Sequence, residues 1–361
     1  MAKSDHYYAL ILAGGRGTRF WPRSRKRSAK QVLSFNGDRT LIQQTVDRLK
    51  PVLPPERIWI ITNDFLRDTI IQQLPEVPKA QIIAEPAQRN TAPAIALVAQ
   101  VLQQRDPEAV MGVFPADHII EKPARYLRLV RPAFEAARKG QICVLGIQPR
   151  WAETGYGYIE FPFGVTSGGT EPWKVQRFTE KPNLETAKEF VAAGTYYWNA
   201  GMFFWRASVF MDEMRRHMPA TAETLARLPS FESRTFKKKL TVYFPACENI
   251  SVDVGIIEKS DKVYGIACDE FGWNDVGSWN AVYELLARGV HSNVLRTGDV
   301  LTELSEGCYV DVPKKLVALV GVKDLVVVET DDALLIVDRH RAQNVSDIVK
   351  ALERAKREEL L

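Results

Sequence analysis

Cysteines, long hydrophobic runs and an excess of either charge are scarce in this sequence. Its 361 residues include four cysteines, which are too few for a disulfide framework, and none has the CxxC or Cys/His spacing of a zinc site. We therefore expect reduced thiols and a cytoplasmic protein. The 48 lysines and arginines against 44 aspartates and glutamates leave a net charge of +4, which is too small to predict nucleic-acid binding.

The first apolar run, residues 7–13, is too short to span a membrane and has no secretory cleavage site in the right place. The sequence thus predicts neither secretion nor a membrane partner. A hydrophobic fraction of 46% and a charged fraction of 25% are those of a globular chain with a substantial core. The length predicts about two domains.

The first half alternates short β-branched runs with segments of helical period. We predict strands at 7–13, 57–62, 80–84, 109–114 and 141–147, separated by helices at 40–50, 64–74, 91–105 and 122–139. This βαβ pattern is typical of a doubly wound, Rossmann-like α/β domain, a mostly parallel sheet with helices on both faces.

The pattern becomes mixed after about residue 150 and changes again at 290 to short strands separated by Asp and Gly turns. In the mixed part we predict strands at 156–161, 174–179 and 196–205, and helices at 183–193, 207–217 and 278–287. Beyond it we predict strands at 316–320, 325–328 and 333–337, and a helix at 346–359. The division is therefore an α/β domain over 1–289 and a small β domain with a terminal helix over 290–361.

A glycine-rich loop follows the first predicted strand, in the run Leu12-Ala13-Gly14-Gly15-Arg16-Gly17-Thr18-Arg19. Glycines at a strand end let the backbone approach an anion, and the two arginines add positive charge, which predicts a phosphate-bearing ligand. The GxxxxGKS/T pattern of a P-loop is absent. Phe20 replaces the third glycine of a dinucleotide fingerprint, which excludes a dehydrogenase. On GGxG alone, a plain turn is equally common.

Five cations follow within eight residues, from Arg23 to Lys30. In isolation such a run is more often a solvated surface or a nuclear-localisation look-alike. Directly after a phosphate-binding loop it can reach over a polyphosphate tail, and we expect Lys30 to follow the transferred group. Residues 16–30 are termed the basic arm below.

The loop and arm together, LAGGRGTRFWPRSRKRSAKQ, resemble the signature of the sugar-1-phosphate nucleotidylyltransferase family. The similarity covers nearly the whole chain through further motifs at 85–93, 114–118, 178–182, 198–201 and 273–279. One departure is Ala29, where the family usually has proline, and it predicts a looser backbone before Lys30.

The resemblance implies transfer of a nucleotidyl group from GTP to mannose 1-phosphate with Mg²⁺ as cofactor. It implies a catalytic set of Arg19, Lys30, Asp117 and Asp275, with the two aspartates as metal ligands. It implies that the nucleotide is bound by Leu12, Ala13, Gly14, Gly15, Gly17, Thr18, Arg19, Lys30, Glu85, Asn90, Thr91 and Asp117. The implied sugar-phosphate residues are Gly157, Glu180, Lys181, Asn199 and Asp253.

Without the resemblance, each of these polar residues could also have a purely structural role. Asp117 follows a buried strand, at the strand end where open α/β sheets bind ligands, and is equally a metal ligand or a helix cap. Asp275 alone is more often a cap, and Lys181 an exposed ion-pairing lysine. His118 is assigned a structural or orienting role, because a phosphate nucleophile needs no base at neutral pH.

Other functions stay open. The enzyme could use another sugar 1-phosphate, such as that of a heptose or glucose, or another nucleoside triphosphate. A non-catalytic regulator that binds nucleotide-sugars is disfavoured because Lys30, Asp117, Lys181 and Asp275 are all present. The small β domain supports dimers in relatives, so we expect a homodimer. The chain ends before the isomerase domain of bifunctional relatives, so isomerase activity is not expected.

Overall fold

The structure is a computed structural model that describes residues 6–35, 37–286, 290–297 and 299–361. The strands up to residue 274 are β1 (Tyr7–Leu12), β2 (Ile58–Asn63), β3 (Ile82–Glu85), β4 (Val110–Pro115), β5 (Ile119–Ile120), β6 (Ile142–Ile147), β7 (Tyr158–Glu160), β8 (Trp173–Lys174), β9 (Arg177–Thr179), β10 (Tyr196–Arg206), β11 (Val263–Cys268) and β12 (Trp273–Asn274). The helices of this part are α1 (Leu41–Leu49), α2 (Asp64–Gln73), α3 (Thr91–Arg105), α4 (Pro123–Arg138), α5 (Leu184–Ala193), α6 (Ala207–His217), α7 (Pro219–Ala226), α8 (Phe236–Tyr243) and α9 (Trp279–Leu285).

A ten-stranded mixed sheet forms the centre, in the order β3-β2-β1-β4-β10-β6-β11-β8, and β7 pairs with both β10 and β9. The strands β1 to β4 pair in parallel, as do β6 and β11. Helices α1, α2, α4 and α5 pack on one face, and α3, α6, α7 and α8 on the other. The predicted mostly parallel sheet with helices on both faces is thus confirmed.

Strand β10 lies antiparallel between β4 and β6 and carries aromatic side chains into the cores on both faces. Its pairing with β6 shifts register between Asn199 and Phe203, and Gly201 within this bulge has φ +68°. The amide of Gly201 donates to Asn199 Oδ1 at 3.0 Å. Bulges re-aim side chains, and this one sets the direction of Asn199.

The C-terminal domain contains β13 (Val294–Thr297), β14 (Val300–Glu303), β15 (Tyr309–Asp311), β16 (Val317–Val320), β17 (Leu325–Glu329), β18 (Leu334–Asp338) and α10 (Val345–Arg354). Strands β13, β15 and β17 pair in parallel, as do β14 and β16, in the manner of a short β-helix. Phe20 of the basic arm, Trp279 of α9, and Val326 and Val328 of β17 belong to one hydrophobic core. This shared core fixes the basic arm against the C-terminal domain.

Several boundaries differ from the predicted ones. The predicted strand 174–179 is two separate strands, β8 and β9, and the helix predicted at 346–359 ends at Arg354. Helices α7 and α8 were not predicted, nor were strands β5, β11, β12, β13, β14 and β15. The predicted domain boundary after residue 289, and the end of the predicted helix 278–287, lie outside the described residues. Among the helices that are described, none is both long and apolar enough to cross a membrane.

Candidate active site

The glycine-rich loop leaves the end of β1 and is shaped by contacts within the protein. The buried side chain of Gln31 donates to the carbonyls of Ala13 at 2.7 Å and Gly15 at 3.0 Å. Gly17 has φ +60°, and a Cβ there would lie 2.8 Å from the Cβ of Lys30. Glycine is therefore required at this position. Contacts within the chain therefore constrain the conformation of the loop.

Lys30 lies at the centre of the predicted site, with 6% of its surface exposed. Its ammonium donates to Asp117 Oδ2 at 2.9 Å and to the backbone carbonyl of Asp275 at 2.5 Å. Burial opposes ionisation of Asp117, but the nearby Lys30 charge outweighs it and keeps the pKa of that carboxyl below its ordinary value. The structure thus brings together three predicted residues from distant parts of the chain.

A two-stranded ribbon explains how the two aspartates meet. Strand β5 pairs with β12, with Ile120 opposite Trp273 and Ile119 opposite Asn274. Asp117 lies between the carboxyl end of β4 and this ribbon, and Asp275 follows β12 directly. The ribbon therefore holds Asp275 at the edge of the sheet where Asp117 emerges.

His118 fits the structural role expected for it. Burial lowers the pKa of its imidazole to about 4, so the ring is neutral near pH 7. Its Nδ1 accepts a hydrogen bond from Trp273 Nε1 at 3.2 Å. A neutral ring that receives a bond from a buried indole orients the ribbon rather than removing protons.

Tyr156 belongs to the site and was not identified from the sequence. Its hydroxyl donates to Asp275 Oδ1 at 2.6 Å, and burial together with the Asp275 charge raises the pKa of the phenol, which stays protonated. The rings of Trp198 and Trp273 lie 5.3 and 5.4 Å from it. These side chains and Arg19 line a cavity of about 460 Å³ beside Asp275.

A second cavity, of about 440 Å³, opens between the glycine-rich loop and the end of β3. Gly14 and Gly15 line one side, and Glu85 lines another. A Cβ at Gly14 would lie 3.4 Å from Glu85 Oε1, so this carboxyl is close to the loop backbone. Burial raises the pKa of Glu85 to about 8. A half-buried carboxyl beside glycine backbone can hydrogen-bond a ligand that enters this cavity.

Asn90 and Thr91 are not among the residues that line this cavity. Asn90 has φ +63°, and its Oδ1 accepts from the amide of Thr91 at 2.9 Å. Thr91 Oγ1 accepts from the amide of Val252 at 2.8 Å. The predicted contacts of these two side chains with a nucleotide therefore stay predictions.

The five residues predicted to bind the sugar phosphate lie in one cluster. Asn199 Nδ2 donates to Asp253 Oδ1 at 2.9 Å, and Lys181 pairs with Glu180. A Cβ at Gly157 would lie 2.6 Å from Glu180 Oε2, so glycine leaves the room that this carboxylate occupies. Burial, and then the Glu180 charge, raise the pKa of Asp253 to about 7.

Comparisons with known proteins match both parts of the chain. Residues 8–289 match the nucleotidyl transferase family, and residues 300–352 match the MannoseP isomerase/GMP-like beta-helix domain. The mannose-1-phosphate guanylyltransferase of Escherichia coli is 39% identical over 362 residues, which cover 98% of this chain and 74% of the relative. The chain belongs to the mannose-1-phosphate guanylyltransferase family.

Other members of the family agree in sequence and in fold. The mannose-1-phosphate guanylyltransferase of Salmonella typhimurium is 40% identical over 357 residues, covering 96% of this chain and 73% of the relative. A crystal structure from Thermus thermophilus, described as a mannose-1-phosphate geranyltransferase, has a TM-score of 0.85 at 32% identity and covers 96% of this chain and 99% of its own.

In this member of the family, the basic arm contacts the C-terminal domain. Arg16 pairs with Glu353 at 2.5 Å, and Arg19 donates to Gln343 Oε1 at 2.9 Å. Further pairs join Arg23 to Asp311 at 2.6 Å, Arg25 to Asp332 at 2.8 Å and Lys26 to Glu358 at 2.5 Å. The arm was expected to reach over a polyphosphate. That expectation stays a prediction, and in this structure Arg16, Arg23, Arg25 and Lys26 pair with acidic side chains among the last 51 residues.

The departure at Ala29 does not alter the backbone there. Ala29 is buried and has φ −67° and ψ 162°. This φ is the one that a proline ring imposes. The alanine therefore presents Lys30 from the same backbone conformation that the family's proline would fix.

The donors at the centre of the site suit a hard divalent cation. Mg²⁺ prefers one or two carboxylates together with phosphate oxygens and water. Asp117 would supply one carboxylate beside Lys30, and Asp275 would supply a second, which here accepts from Tyr156. The Lys30 ammonium already lies between the Asp117 carboxylate and the Asp275 carbonyl, so this position accepts positive charge. Among the described residues, no group of three or more His, Cys, Asp and Glu side chains is placed to hold a metal.

Proposed function

We propose that this chain transfers GMP from GTP to mannose 1-phosphate, giving GDP-mannose and pyrophosphate. The observation that carries the proposal is the meeting of Lys30, Asp117 and Asp275 at the edge of the sheet. The glycine-rich loop and Glu85 flank this centre on one side, and the Asn199–Asp253 cluster supplies groups for a sugar.

The reaction needs alignment and charge neutralisation more than proton transfer. An oxygen of the sugar phosphate attacks the α-phosphorus of GTP in line, the new P–O bond forms, and the bond to pyrophosphate breaks. Both substrates are polyanions that repel each other, so positioned cations and amides lower the barrier. Lys30 would follow the α-phosphate, while Arg19 and the backbone of Gly14, Gly15 and Gly17 would hold the rest of the triphosphate.

Glu85 is the side chain that we propose selects guanine. The N1–H and N2–H₂ groups of guanine are adjacent donors, and one ionised carboxylate can accept from both. Adenine has no N1–H, and uracil has no amino group. Burial raises the pKa of Glu85 to about 8 in the free protein, and two donors from the base would offset that effect.

The sugar phosphate would be held by the cluster around Asp253. Lys181 would contact the phosphate. Glu180 and Asp253 would accept hydrogen bonds from sugar hydroxyl groups, and the Asn199 amide could donate or accept them. Gly157 would keep the Glu180 carboxylate in its place, because a side chain at residue 157 would displace it.

Nucleotidyl transferases of this family generally use a divalent metal, and we propose Mg²⁺ held by Asp117 and Asp275. When bound, the ion supplies charge neutralisation and polarisation of the phosphate. Tyr156 would orient the Asp275 carboxylate through its 2.6 Å hydrogen bond. The homodimer and the cytoplasmic location stay predictions from the sequence.

Pyrophosphate release measured over a panel of substrates tests the proposal. The panel combines GTP, UTP, dTTP and ATP with the 1-phosphates of mannose, glucose and a heptose, and Asp117→Asn serves as the inactive control. We expect the highest kcat/KM for GTP with mannose 1-phosphate. A higher kcat/KM for another pair would show that the substrates are different from those proposed. No pyrophosphate release with any pair would favour a non-catalytic role.

A further inference from the structure

The hydroxyl of Thr91 joins the two halves of the site. Thr91 is the first residue of α3, and its Oγ1 accepts from the amide of Val252 at 2.8 Å. The next amide of the helix, that of Ala92, donates to the carbonyl of Ile250 at 3.2 Å. The start of α3 therefore holds the chain just before Asp253 through both a side chain and the backbone.

The chain after Val252 has an unusual backbone. Residues Asp253–Ile257 form one π-helical turn, a rare conformation that occurs often at functional sites. Asp253, the first residue of this turn, accepts from Asn199 at 2.9 Å. The amide that donates to Thr91, that of Val252, is thus one residue before Asp253, whose carboxylate we propose binds the sugar.

On its N-terminal side, Thr91 follows the loop that leads from the proposed nucleotide cavity. The loop before α3 begins at the end of β3, where Glu85 lines the cavity beside the glycine-rich loop. Thr91 does not line that cavity and directs its hydroxyl oxygen to Val252. We propose that Thr91 is a positioning residue that sets the place of Asp253 and makes sugar-phosphate binding depend on the loop that holds the nucleotide base. This inference rests on the proposed function.

Removing the hydroxyl has a defined physical effect. Val252 is 1% exposed, so in Thr91→Val its amide loses its acceptor and water does not replace it freely. A buried donor without a partner is costly, and the chain at 251–253 would move to satisfy it. That movement displaces Asp253 from Asn199, while Glu85 and the glycine-rich loop keep their own contacts. Thr91→Val should therefore weaken binding of the sugar phosphate and leave binding of the nucleotide unchanged.

The test compares Thr91→Val, Thr91→Ser and a control, Thr221→Val. Thr221 makes similar bonds to the same segment: its Oγ1 accepts from the amide of Glu248 at 3.2 Å and donates to Glu248 Oε2 at 2.8 Å. We expect Thr91→Val to raise KM for mannose 1-phosphate roughly 10-fold, the effect of one lost buried hydrogen bond, with KM for GTP within about 2-fold. Thr91→Ser should restore wild-type values, and Thr221→Val should leave both KM values unchanged.

Three results would overturn the inference: an equal rise of KM for GTP, which would mean that Thr91 contacts the nucleotide; unchanged kinetics; or the same effect from Thr221→Val. Calorimetric titration with mannose 1-phosphate and hydrogen exchange at the Val252 amide give the same answer without turnover. Faster exchange and weaker sugar-phosphate binding in Thr91→Val are the expected results. If the wild type releases no pyrophosphate, the proposed function fails, and these two measurements still decide the role of Thr91.

Discussion

Replacing Lys30 with methionine removes a buried charge and keeps most of the length of the side chain. The substitution deletes the 2.9 Å bond to Asp117 and the 2.5 Å bond to the Asp275 carbonyl. Charge-assisted hydrogen bonds are each worth about 1.5–3 kcal/mol. The Asp117 side chain is 36% exposed, so water takes over part of its lost interaction. We therefore expect the free energy of unfolding to fall by about 2 kcal/mol.

The effect on catalysis should be larger than the effect on stability. Loss of one preorganised charge at a reacting phosphate costs ~10²–10³ in rate, or about 3–4 kcal/mol of the barrier. The assays are kcat from pyrophosphate release at saturating substrates and unfolding in urea. Lys50→Met is the matched control because the Lys50 ammonium likewise has two oxygen partners, the carboxylates of Asp47 and Glu76, each at 2.8 Å, but on the surface. We expect it to keep its kcat and to lose less than about 1 kcal/mol.

Two results would refute this reasoning about Lys30. The first is a kcat for Lys30→Met within threefold of wild type. The second is a loss of stability no greater than that of Lys50→Met, which would mean that the buried ammonium contributes no more than a surface one.

The remaining predictions concern four other positions. Glu85→Gln should lower kcat/KM for GTP about 10- to 100-fold, because an amide cannot accept from both guanine donors; an unchanged value would remove Glu85 from base selection. Glu353→Gln should lower KM for GTP about 2-fold at low salt, since Arg16 is freed for phosphate, and the gain should vanish at high salt; a higher KM would contradict this. Burial raises the pKa of Asp253 to about 7, above the value of about 4 in the unfolded chain, so this group's stabilising contribution falls as the pH rises from about 4 to 7 by up to about 1.4 kcal/mol per pH unit. Asp253→Asn should flatten that dependence in urea titrations. Ala29→Pro should raise the free energy of unfolding by about 0.4–1 kcal/mol, because the native φ already suits proline; a destabilised variant would contradict it.

The sequence predicted the parallel half of the sheet because β1 to β4 are short, continuous apolar runs separated by helical segments. The pairing of β10 could not be predicted in this way. Its aromatic run is buried on both faces, so the pattern does not say which strands flank it or in which direction it runs. Helix α7 was missed because it begins at Pro219, directly after α6 ends, where a single break in the pattern is easily read as a loop.

Within the site, motif-bearing residues were predictable and their supports were not. Lys30, Asp117 and Asp275 stand in recognisable motifs, and the structure brings them together. Tyr156 has no motif of its own, and its contact with Asp275 depends on how two distant loops pack. Thr91 was predicted to bind the nucleotide, which stays a prediction, and the direction of its hydroxyl depends on the chain at 250–252, which no local pattern specifies.

The core shared by Phe20, Trp279 and β17 has a consequence for anyone who recombines members of this family. A chimera that joins one member's first 289 residues to another's β domain would place foreign side chains against Phe20, which belongs to the same short segment as Lys30. Such a hybrid can fold in both halves and still misplace the ammonium on which transfer depends. The useful unit of exchange is therefore the β domain together with residues 16–30.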